Sequence, residues 1–112
     1  MGGAASTGAG DNISIGTEAY KAATTGLCNI AIGKDVMKLA TTGCFNVAIG
    51  MTALGGATTT GNNNVAIGQS ALDALTSAAN NVAIGLNAMG AATTGPNNIG
   101  IGEEALAGAV TG

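Results

Sequence analysis

The sequence predicts an all-β chain, or β with short helical turns, wound as a β-solenoid or β-roll of six coils with their strands stacked in parallel. Three observations carry this. A five-residue unit recurs six times: NISIG (12–16), NIAIG (29–33), NVAIG (46–50, 64–68 and 81–85) and NIGIG (98–102), with closing glycines 17, 17, 18, 17 and 17 residues apart. Within each unit β-branched residues alternate with a small one, the period-two pattern of a strand. And a unit of this length cannot bury its own apolar face, whereas six stacked in register share one core.

Each column of the repeat has a physical meaning. The residue before the glycine is always Ile: Ile15, Ile32, Ile49, Ile67, Ile84 and Ile101; two positions earlier stands Ile or Val. This bulky face is expected to fill the core. Between the two lie Ser14, Ala31, Ala48, Ala66, Ala83 and Gly100. That tiny face is expected to let something else approach closely. The column Asn12, Asn29, Asn46, Asn64, Asn81 and Asn98 is expected to form a ladder, since coils stacked about 4.8 Å apart bring like amides within hydrogen-bonding reach.

After each glycine come two mostly polar residues and then a pair: Ala19-Tyr20, Val36-Met37, Ala53-Leu54, Ala71-Leu72, Ala88-Met89 and Ala105-Leu106. With Ala23, Ala40, Ala57, Leu75, Ala92 and Ala109 three residues on, the spacing fits a short helical turn or a second, irregular strand. Thr-Thr-Gly closes most coils as a turn signal. The one extra residue is expected in the run Thr58–Thr60, at a surface corner. The chain divides into a Gly/Ala/Ser-rich partial repeat, 1–10, and one solenoid domain, 11–112.

Composition narrows the function. Only 8% of residues are charged, against the usual ~25%, which speaks for association rather than a lone solvated chain. The net charge of −3, with neither Arg nor His, argues against nucleic acid. Without His there is no imidazole base, triad or His metal site. Glu103-Glu104 reads as a solvated face, 8–12 (GAGDN) lacks the spacing of a calcium-binding repeat, and the glycines follow no phosphate-loop pattern. The chain is therefore expected to be no enzyme and to need no cofactor or metal. No apolar run is long enough to span a bilayer. Cys28 and Cys44 fall in one corner of successive coils, one position out of line; they are a candidate inter-coil disulfide, with two small buried thiols as the alternative.

The pattern NVAIGxxA followed by a glycine turn resembles the head repeats of trimeric autotransporter adhesins. It is still more similar to the NTAIG-xxAL-xxNTTG repeats of tail-fibre and structural proteins of large phages and algal viruses. The likeness covers 11–112. It implies a β-roll shaft in a viral or cell-surface fibre, a partner that is the chain itself as a homotrimer with the small column Ser14, Ala31, Ala48, Ala66, Ala83 and Gly100 as the candidate inter-chain face, a host-cell surface as a further partner, and a location outside the cell or on a virion. The adhesin repeat is shorter, so the coil cross-section here must differ. No capping element is legible in the repeats, and Lys21, Lys34 and Lys38 lie in the first half while Asp73, Glu103 and Glu104 occupy the second. End-to-end filament growth is therefore the second expected mode of assembly. The expected function is a structural fibre segment that self-assembles through small-residue faces or open ends. The alternative is an ice-binding solenoid presenting Thr24-Thr25, Thr41-Thr42, Thr59-Thr60 and Thr93-Thr94 as an exposed ladder.

Overall fold

A computed structural model describes residues 10–92 and 94–108. The six repeats form six three-residue strands: β1 (Ile13–Ile15), β2 (Ile30–Ile32), β3 (Val47–Ile49), β4 (Val65–Ile67), β5 (Val82–Ile84) and β6 (Ile99–Ile101). They make one parallel sheet in chain order, each residue pairing with its repeat equivalent, as in Ile13 with Ile30, Ser14 with Ala31 and Ile15 with Ile32. The stack is a β-solenoid, 33 Å in its longest dimension.

The glycine after each strand is where the chain turns back. Gly50 has φ of 128°, and a Cβ built there would lie 2.8 Å from the carbonyl carbon and oxygen of Gly68 in the next coil. Only glycine satisfies both constraints. A β-turn follows: the Ala53 N–H donates to the Gly50 carbonyl at 3.2 Å, and Thr52, its third residue, has φ of 58°. That is the conformation a type II turn demands. The chain then runs back beneath its own strand.

The returning segment is neither a helix nor a strand, and no helix occurs among the described residues. Tyr20, Met37, Leu54, Leu72, Met89 and Leu106 all have positive φ, as do Glu18, Asp35, Thr52, Ser70, Asn87 and Glu104 two residues before them. Alternating left-handed residues break the continuous right-handed dihedrals a helical turn needs. Each such residue costs on the order of 1 kcal/mol. The stack supplies the compensation: the Leu54 N–H donates to Ala71 O at 3.0 Å in one neighbouring coil, and the Thr52 N–H to Lys34 O at 3.0 Å in the other. The left-handed residues aim their N–H groups along the solenoid axis, so the coils are tied together on the return side as well as through the sheet.

The core corrects the expected sidedness of the strands. Ala31, Ala48, Ala66, Ala83 and Gly100 are buried, and the first four have no exposed surface. Ser14 also faces inward, its hydroxyl donating to Ala19 O across the coil at 2.9 Å. The Ile15 to Ile101 column, expected in the core, lies on the outside. The reason is thickness. Strand and return segment lie close together, and the space between them is already filled from the return side by Tyr20, Met37, Leu54, Leu72 and Met89, with Val36 and Leu75 beside them. A Cβ on Gly100 would come within 2.9 Å of Met89 Cγ. The strand can therefore contribute only Ser, Ala or Gly.

Hydrogen bonds between coils locate the extra residue. Met37 N–H bonds Ala53 O, sixteen residues on, as Tyr20 does with Val36; beyond the insertion Thr41 N–H bonds Thr59 O, eighteen on, where Thr24 bonds Thr41, seventeen on. The Gly56 N–H still bonds Asp73 O, as Ala22 does Lys38 O and Ala74 does Gly90 O, so the added residue lies between Gly56 and Thr59, at the start of the expected run. Leu75, fully buried, stands in the following coil where neighbouring coils carry Ala40 and Ala92.

Candidate functional site

The inner scaffold is an asparagine ladder. The backbone N–H of Asn29 donates to Asn12 Oδ1 at 2.8 Å, that of Asn46 to Asn29 Oδ1 at 2.8 Å, that of Asn64 to Asn46 Oδ1 at 2.9 Å, that of Asn81 to Asn64 Oδ1 at 3.0 Å, and that of Asn98 to Asn81 Oδ1 at 2.9 Å. The amide nitrogens reach corner carbonyls, as in Asn46 Nδ2 to Gly61 O at 2.9 Å. Asn29, Asn46, Asn64 and Asn81 have no exposed surface, so these amides are structural, with no face left for a ligand. The residue before each, Cys28, Phe45, Asn63, Asn80 or Asn97, has positive φ. Three of the five are Asn, which tolerates that region.

With the small column inside, each strand presents its two β-branched residues outward. Ile13, Ile30, Val47, Val65, Val82 and Ile99 form one row; Ile15, Ile32, Ile49, Ile67, Ile84 and Ile101 form the other. At the ends of the sheet they are well exposed (Ile13 49%, Ile99 68%); between, neighbouring rungs half-bury them. No charged or polar residue interrupts the rows. This flat aliphatic face, one strand wide and six coils long, is the candidate interaction surface. The turn tips after the glycines border it: Thr17, Lys34, Met51, Gln69, Leu86 and Glu103, all exposed. On its other edge stand Cys28 and Phe45, the latter 59% exposed, followed by Asn63, Asn80 and Asn97.

Charge is absent from the two rows and lies at the border and on the return segment. Glu18 bonds Lys21 at 2.7 Å and also pairs with Lys38; Asp35 pairs with Lys34 at 3.0 Å and Lys38 at 3.3 Å. Hydrogen bonds from Lys21 and Lys38 hold the Glu18 carboxyl below its usual range, and those from Lys34 and Lys38 do the same for Asp35. Asp73 is the opposite case. It lies against Gly56 at the widened corner, its Oδ1 is shielded and without a hydrogen bond, and desolvation raises its pKa. Burial likewise raises Tyr20, whose hydroxyl accepts from Asn29 Nδ2 at 2.7 Å.

The remaining candidates are dispersed. Cys28 and Cys44 are free thiols rather than a disulfide; Cys44 Sγ instead accepts from the Leu27 N–H at 3.4 Å, because the two sit one position out of register. Of the threonine pairs, Thr25, Thr42, Thr60 and Thr94 are exposed, while the neighbours Thr24 and Thr59 are engaged with the backbone. Thr59 is fully buried with its hydroxyl on Leu75 O at 3.0 Å, and the Thr24 hydroxyl reaches Thr41 O at 3.2 Å. Thr93 lies outside the described residues, as does Ala109. Among the described residues there is no pocket, no cluster of three metal-ligating side chains, and no helix long and apolar enough to cross a membrane.

No protein-family model matches the chain, and neither a curated protein nor a solved structure is significantly similar to it.

Proposed function

We propose that this chain is a structural, non-enzymatic solenoid segment of a fibre or filament, of the kind carried on a virion or cell surface, and that it assembles with copies of itself. The observation that carries the reading is the outer sheet face: two uninterrupted aliphatic rows on a rigid ladder. Such a face is costly to leave in water, at roughly 25 cal/mol per Å² of apolar surface. The buried small-residue column cannot serve as the contact, so the outer face takes that role and favours lateral association over end-to-end stacking. Ice binding through a threonine row is the weaker reading, because Thr59 is buried and the Thr24 and Thr59 hydroxyls bond backbone carbonyls, which leaves the paired ladder incomplete, and Ser77 stands in for threonine in the fourth coil.

Size exclusion with light scattering over a wide concentration range tests this. A discrete oligomer supports lateral assembly. A monomer at every concentration refutes it, and slowed ice recrystallisation by that monomer would establish the alternative.

A further inference from the structure

The outer face has a border whose residues differ from coil to coil, and their order carries information on how two copies would meet. From coil one to coil six the turn tips read Thr17, Lys34, Met51, Gln69, Leu86 and Glu103. Building on the self-association proposed above, we infer that two copies pair face to face, antiparallel and offset by one coil, so that Lys34 of each copy meets Glu103 of the other.

Two identical faces can pack in few ways. With the solenoids parallel, a two-fold axis along the rod sets the turn tips of one copy against the opposite edge of the other, coil against equal coil. Lys34 then faces Cys28, Glu103 faces Asn97, Leu86 faces Asn80 and Met51 faces Phe45, which leaves both charges without a partner. An axis along the strands makes the rods antiparallel and sets turn tip against turn tip. Unshifted, this opposes Lys34 to Leu86 and Met51 to Gln69. Shifted by one coil, Lys34 opposes Glu103, Met51 opposes Leu86, and Gln69 opposes its own copy on the axis. A shift the other way opposes Lys34 to Gln69 and leaves Glu103 outside the overlap. Of these arrangements, the one-coil offset alone matches charge with opposite charge, and along the turn-tip border it also sets Met51 on Leu86; on the other edge it opposes Phe45 to Asn80.

The offset keeps five of the six coils in contact. Each partner then contributes ten β-branched residues and five border residues, on the order of 700 Å² and close to the ~800 Å² per partner of a stable interface. Sheets pack about 10 Å apart, within reach of long side chains at both turn tips. Lys34 is 64% exposed, and its present partner Asp35 also holds Lys38, so Lys34 can turn to Glu103 without leaving Asp35 unpaired. The charge pair sets orientation, and the aliphatic rows supply the affinity.

The test is a charge swap in the full chain together with cysteine cross-linking. Lys34→Glu alone and Glu103→Lys alone each place like charges together twice per dimer and should weaken dimerisation at least tenfold; the double variant should restore it. In a Cys28→Ser, Cys44→Ser background, Gln69→Cys lies on the two-fold axis and should be joined to its own copy by a short bis-maleimide that spans the roughly 10 Å between packed sheets, while Met51→Cys, two coils out of line with its own copy, should not. A wild-type dimer with no rescue by the double variant, or with cross-linking at 51 rather than 69, overturns the orientation and leaves lateral assembly standing. A trimer overturns the pairing. A monomer overturns the pairing and the assembly reading together.

Discussion

Replacing Asn46 with alanine should remove several kcal/mol of stability, as should the same change at Asn64, whose buried amide is bonded in the same way. The Asn46 side chain has no exposed surface. Oδ1 accepts the Asn64 N–H at 2.9 Å and Asn64 Nδ2 at 3.1 Å, and Nδ2 donates to Gly61 O at 2.9 Å. Alanine leaves these groups without that partner, and water cannot reach them in a filled coil. Each buried group left unsatisfied costs about 1–3 kcal/mol, so the loss should be roughly 3–5 kcal/mol. For a chain of this size that lowers Tm by about 15 °C or more. Asn12, half-buried at the end of the ladder, should cost about 1–2 kcal/mol on the same substitution, because solvent can replace part of what is lost. The exposed Thr42→Ala should stay within about 0.5 kcal/mol of wild type. Urea denaturation followed by far-UV circular dichroism, at one protein concentration for all variants, measures the series. An Asn46→Ala protein as stable as Thr42→Ala would refute the claim that the ladder holds the coils together.

Two further outcomes follow from the backbone and the charges. Glu104 is exposed with φ of 54°, where Asn is better tolerated than Glu; Glu104→Asn should add about 0.5–1 kcal/mol, and Glu104→Gln, which removes only the charge, should add less. Equal gains from the two would show that backbone conformation plays no part. Asp73 has its pKa raised in the folded chain, so protonation favours folding and its burden eases as pH falls through that raised value. Glu18 and Asp35 have lowered values, so their contribution is present above the ordinary carboxylate range and is lost as pH falls through their folded pKa. Asp73→Asn should therefore raise Tm at pH 7, with the gap to wild type closing on acidification; a gap that stays constant down to about pH 4 would contradict the assignment.

Much of the fold is legible in the repeat, because constant spacing and register are the same fact seen twice. Six NxxIG units at 17- or 18-residue intervals dictate parallel strands with Ile over Ile and Asn over Asn. Sidedness is not legible in the alternation alone. Val-Ala-Ile says that one face is bulky and one is small, and a rule that bulk goes inward holds only where the interior has room. Here the Ala-Leu, Val-Met and Ala-Tyr pairs already fill the narrow interior from the return side, and that pair is the signal that the strand must turn its small residue inward. The left-handed return segment is harder to read. Asn87, Asn63, Asn80 and Asn97 hint at positive φ, but Leu54, Leu72, Met37 and Tyr20 avoid it in isolation and adopt it only because stacked coils offer their N–H groups carbonyls along the axis. Lys34 and Glu103 read as scattered surface charge until the solenoid places both on one border of one face.

Everything proposed for the outer face depends on the small column being inside. The thermal melt of Ala66→Leu tests that most directly. Ala66 is fully buried, and its neighbours along the column are Ala48 and Ala83. With no room between strand and return segment, three added carbons should overpack the coil and cost about 1–3 kcal/mol or more, a Tm lowered by many degrees. A melt unchanged from wild type would mean that position 66 faces outward, and that the aliphatic rows are the core instead of the contact surface.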